Sequence, residues 1–120
     1  MPTDVPYLTV GATTLYLDIY VPAGTIKAMV LGMHGGIFQG DGDKTGLIDV
    51  ATAFAADGYL TFCPNVRMYP DVYWPTQLSD AEACYAWIIA HCTDYGGDPL
   101  DADRGLWMLK RMHPGGIRGL

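Results

Sequence analysis

The sequence predicts an α/β fold with a mostly parallel sheet and flanking helices, and three observations carry that expectation. Apolar, strand-like runs alternate with stretches of helical periodicity; the run "AMVLGM" holds no polar side chain; and a glycine-rich turn follows it directly. Strands separated by helices are joined by crossovers and lie parallel, and a parallel strand covered on both faces reads as a continuous apolar run. Half of the 120 residues are hydrophobic and 17% are charged, which suits one small globular domain with its own core.

Each element has its own signal. In "TLYLDIYVP", Leu15, Leu17, Ile19 and Val21 alternate with Tyr16, Asp18 and Tyr20, the pattern of a half-buried strand. "AMVLGM" is the buried parallel strand. From Thr45 onward, Leu47, Val50, Ala51 and Phe54 recur at helical spacing, and Gly58 supplies a stop. "YLTFCP" is the next strand, closed by Pro64. Pro75 then opens a helix whose apolar stripe is Leu78, Ala81, Tyr85, Ile88 and Cys92, ending at Gly96-Gly97. "RGLWML" begins a further strand. The chain contains no internal repeat or low-complexity linker.

Charge divides the chain unevenly. Residues 1–103 hold thirteen acidic and three basic side chains, a formal charge of −10, whereas residues 104–120 hold four basic and no acidic ones. An acidic body excludes nucleic acid as a partner, and residues 104–120 read as an atypical basic tail. No run approaches the ~18–20 apolar residues of a membrane span. The start "MPTDVPYLTV" lacks the basic and apolar regions of a secretory signal, so the expected location is cytoplasmic. Cys63, Cys84 and Cys92 make an odd count without metal-type spacing, each inside an apolar segment, and read as buried free thiols; no metal or cofactor is expected.

The stretch "MVLGMHGGIFQGDGDKTG" places His34, Gly35 and Gly36 at the carboxyl end of the buried strand, where open α/β sheets bind their ligands. Glycines there let backbone N–H groups face an anion or a developing oxyanion without a side chain in the way. The same two residues would also make a plain tight turn.

Three segments in order, "HGGIFQGD", "NVRMYPDVYWPTQLSDAEACYAWIIAH" and "DYGGDP", resemble the N-terminal half of α/β-hydrolases of the carboxylesterase, lipase and acetyl-hydrolase type. The resemblance covers about Leu15 to Asp103 and implies that residues 1–103 form the N-terminal part of an α/β-hydrolase domain, a partial α/β-hydrolase fold. It implies a small-molecule ester as the substrate of the full-length family. It also implies that Gly35 and Gly36 are the oxyanion-hole donors and that His34 is the structural histidine of that turn. Members of that family carry their nucleophile in a glycine-x-serine-x-glycine elbow, followed by an acid and a histidine. This chain has one serine, Ser79, near the start of a helix, where a capping or solvent-exposed role is expected. After Asp103, where the elbow strand should arrive, the sequence reads "RGLWMLKRMHPGGIRGL". The expectation is therefore a hydrolase chain truncated or frame-shifted before its elbow, lacking nucleophile, acid and catalytic histidine and inactive alone, with an unpaired sheet edge that invites self-association.

A rival reading makes "DGDKTGLIDVAT", Asp41 to Thr52, a calcium loop in a non-enzymatic α/β module. Asp41, Asp43 and Thr45 fall at its first, third and fifth positions, Gly46 at the sixth, Ile48 at the eighth and Asp49 at the ninth. Thr52 at the twelfth position cannot supply the bidentate carboxylate, and a strand precedes the loop where a helix is required. A phosphate loop is excluded, because Asp43 puts an anion before Lys44-Thr45 and the glycine spacing is wrong.

Overall fold

The computed structural model describes residues 2–33, 44–68, 71–101 and 107–110. Five strands form one sheet: β1 (Val5–Val10), β2 (Thr13–Tyr20), β3 (Ala28–Met33), β4 (Tyr59–Pro64) and β5 (Trp107–Lys110), in the order β1-β2-β4-β3-β5. Helix α1 (Ile48–Ala56) is entered through a 3-10 turn at Lys44–Leu47, and α2 (Thr76–His91) continues into a 3-10 turn at Cys92–Tyr95. Strand β3 pairs in parallel with β4 on one side and with β5 on the other, whereas β1–β2 and β2–β4 are antiparallel.

The two faces of the sheet explain the composition of its strands. Leu17 and Ile19 of β2, Met29 and Leu31 of β3, and Leu60 and Phe62 of β4 pack in one cluster with Cys84, Ile88 and Cys92 on the side of α2. Tyr20, Cys63, Leu47 and Ala51 form a separate cluster with α1. Because successive side chains point to opposite faces, β3 and β4 are apolar on both faces apart from Thr61, whose hydroxyl donates to Tyr59 O, and each fully buried Leu, Ile or Phe contributes about 1.5–3 kcal/mol.

The elements expected from the sequence are present, with three differences. Strand β1 had no counterpart in the periodicity reading; it turns into β2 through Gly11, whose φ of 59° suits a residue without a Cβ. The alternation in β2 holds only at its start: Asp18 and Tyr20 are buried, because the Lys44–Leu47 turn and α1 cover that face, and Val21 is exposed. The inward stripe of α2 consists of Gln77, Asp80, Ala81, Cys84 and Ile88, with Leu78 and Tyr85 only half-buried. Residues 102–106 and 111–120 lie outside the described residues, and with them the boundary placed between 103 and 104.

Candidate active site at the carboxyl end of the sheet

The strand order reverses at β3. The connection through α1 leads from β3 to β4 on one side, and the connection through α2 brings the chain back to β5 on the other. The crevice outside the carboxyl ends of parallel strands at such a reversal is where open α/β sheets bind their ligands. Met33 ends β3 beside Lys110 of β5 and is buried against Val66, Met68 and Ala81. His34, Gly35 and Gly36 follow Met33 directly in the sequence and lie outside the described residues, as do Asp41 and Asp43 of the calcium-loop reading. Thr45 and Asp49 of that loop are exposed, and no group of three His, Cys, Asp or Glu able to hold a metal occurs among the described residues.

The chain is described again from Lys44, which is 8% exposed. Its Nζ lies 3.0 Å from Asp18 Oδ1 and 2.9 Å from Asp4 Oδ1. Its backbone N–H donates to Asn65 Oδ1 at 2.7 Å. Burial works against the ammonium charge, but the hydrogen bonds to Asp4 and Asp18 outweigh it, so Lys44 holds its proton more tightly than a free lysine does. Asn65, immediately after β4, is a hub: its N–H donates to Tyr16 O at 2.9 Å, and its carbonyl accepts the Tyr7 hydroxyl. Burial, with Cys84 and Asp80 nearby, keeps that hydroxyl protonated.

Past Asn65, the segment that leads to α2 is tied down by Arg67 and Asp80. The Arg67 N–H donates to Asp80 Oδ2 at 2.8 Å, Nε to the same oxygen at 3.1 Å, and an Nη to Oδ1 at 2.7 Å. This two-pronged arrangement satisfies a carboxylate with no solvent exposure. Gln77, one turn ahead of Ala81 on the same helix face, is also buried, and neither atom of its amide has a hydrogen-bond partner among the described residues.

Ser79 is exposed on α2, its N–H donating to Pro75 O at 3.1 Å; it makes no side-chain cap. The three cysteines are buried free thiols, and burial pushes Cys63 up to about 12. They are inert positions, since the thiolate is the reactive form.

Sequence reasoning missed the buried polar groups beside the strands. Asp18 was assigned to the polar face of its strand, and Lys44 entered only as the lysine of an excluded phosphate loop. The available signal was a polar residue, Asp80, at helical spacing with Ala81, Cys84 and Ile88.

Known proteins share the fold. A probable carboxylic ester hydrolase of Mycobacterium tuberculosis, LipM, is 34% identical over 59 residues, 48% of this chain and 14% of that protein. A thermophilic esterase of Thermogutta terrifontis, Est2 with butyrate bound, superposes with a TM-score of 0.73 at 24% identity over 83% of this chain and 37% of its own. The same organism's esterase 2 phosphoramylated by tabun gives 0.74 at 23% identity, over 83% and 39%. The chain thus spans well under half the length of these relatives. The BD-FAE family matches residues 17–102, from the middle of β2 to beyond the turn that follows α2. This protein belongs to the BD-FAE family and has a partial α/β-hydrolase fold.

Proposed function

We propose that this chain supplies the oxyanion-hole portion of a carboxylic ester hydrolase and is inactive by itself. Gly35 and Gly36 present their N–H groups to the oxygen of a small-molecule ester as it becomes negative during acyl transfer, and His34 is a structural residue of the same turn. Preorganised N–H donors of this kind stabilise the tetrahedral intermediate by contributing where charge develops, about 2.7–4 kcal/mol for one donor. The observation that supports this reading is the position of residues 34–36 in the chain. They follow directly on a buried strand with parallel partners on both sides, at the reversal of strand order. The related esterases give the substrate class.

The nucleophile, acid and base must come from elsewhere. Ser79 lies exposed on a helix face without a strand-to-helix elbow, and no base is held against its hydroxyl among the described residues. The purified chain is expected to hydrolyse short p-nitrophenyl esters no faster than buffer and to resist labelling by a fluorophosphonate probe. Turnover above buffer together with a phosphonylated Ser79 would overturn the proposal.

A further inference from the structure

We infer that Pro2–Asp4 is a salt-responsive strap, closed by Lys44, that covers the edge of β2 where β1 ends. Strand β1 pairs with β2 only as far as Val5, opposite Leu17. Beyond that point the strap takes over: the Ile19 N–H donates to Pro2 O at 2.9 Å, and the Asp4 N–H donates to Asp18 Oδ1 at 2.9 Å. Asp4 has a φ of 53°, in the left-handed region that aspartate tolerates better than most residues. From there its carboxylate lies 2.9 Å from Lys44 Nζ.

The two carboxylates on Lys44 differ in exposure, and that difference makes the strap responsive. The side chains of Lys44 and Asp18 are 10% and 6% exposed, whereas that of Asp4 is 69% exposed. Salt screens exposed charges strongly and buried pairs much less; the screening length falls from about 10 Å at 0.1 M to about 3 Å at 1 M. Rising salt therefore weakens the Asp4 contact while Lys44 stays held by Asp18 and, through its backbone N–H, by Asn65. The strap is then left with its two hydrogen bonds and little burial, since Thr3 and Asp4 are exposed. Opening frees the Ile19 N–H, an edge group of the kind that pairs with another chain. Lys44 thus keeps the edge of β2 closed beyond the end of β1 at low salt and releases it at high salt.

Amide hydrogen exchange followed by NMR on the full chain, at low salt and at about 1 M sodium chloride, tests the strap. The Ile19 and Asp4 N–H groups should exchange about two- to fivefold faster at the higher salt, while amides of β3 and β4 do not accelerate, as expected when opening is local. Asp4→Asn suits the same left-handed backbone and removes the charge. In that variant Ile19 should exchange at low salt as fast as it does at high salt in the unsubstituted chain, and should respond little to added salt. Asp57→Asn, which removes the exposed Lys27–Asp57 pair, should keep the full response at Ile19. An Ile19 N–H indifferent to salt, or a response that survives in Asp4→Asn, would overturn the inference. So would equal acceleration of the β3 and β4 amides, or an Ile19 N–H that exchanges only when the whole sheet unfolds.

Discussion

Asp80 is the side chain on which the segment between β4 and α2 depends most directly. It is completely buried, and all three of its described contacts come from Arg67. In Asp80→Ala the guanidinium, itself largely buried, would lose its only described carboxylate and the Arg67 N–H its acceptor. Breaking such a pair from one side typically costs about 3–5 kcal/mol. Urea unfolding followed by circular dichroism should show a loss of that size, or no folded population at all; a loss under about 1 kcal/mol would mean that the pair is largely solvated. Residues of this kind were the least legible in the sequence. Binary reading puts polar side chains outside, so Asp18, Asp80 and Gln77 were each assigned to the wrong face or passed over. The burial of Asp18 and Asp80 depends on Lys44 and Arg67, residues distant in sequence, and no local spacing reveals such partners.

At the scale of elements the periodicity was informative wherever packing alone decides the outcome. Strands β3 and β4 coincide with "AMVLGM" and "YLTFCP" because both of their faces are covered. Strand β1 escaped because it lies at the sheet edge and carries Pro6 beside a register shift, where a missing N–H is tolerated and alternation is interrupted. The glycines expected to end α2 instead end the 3-10 turn that follows His91, and the structure adds why the second one is needed. A Cβ on Gly97 would come within 2.8 Å of Met29 Sδ and 3.0 Å of both Leu60 Cδ2 and Cys92 Cβ. Gly97→Ala should therefore destabilise by about 1–3 kcal/mol through overpacking. Gly24→Ala, with nothing within 4 Å of the added carbon, is the matched control. Equal melting temperatures for the two variants would show that the core yields at that point.

For the molecule as a whole, the order β1-β2-β4-β3-β5 makes β5 one edge of the sheet. An open strand edge is a template for pairing with another chain. The purified protein is expected to self-associate, and light scattering coupled to size exclusion should give masses above the 13.0 kDa of one chain; a clean monomer at all concentrations would count against an accessible edge. The fold was legible at this scale because several motifs stand in a fixed order along the chain, whereas the antiparallel half of the sheet was not, since hairpin strands at an edge leave weaker patterns. The central claim is that Gly35 and Gly36 provide the oxyanion site of an ester hydrolase. Its most direct test joins residues 1–103 of this chain to the remainder of the Thermogutta terrifontis esterase and measures hydrolysis of p-nitrophenyl butyrate with and without Gly36→Pro, which deletes one N–H. A folded chimera should be active, and the substitution should lower kcat by about 10²–10³ with a much smaller change in KM. A chimera that folds but hydrolyses nothing, or one whose kcat is the same with proline at position 36, would contradict the account.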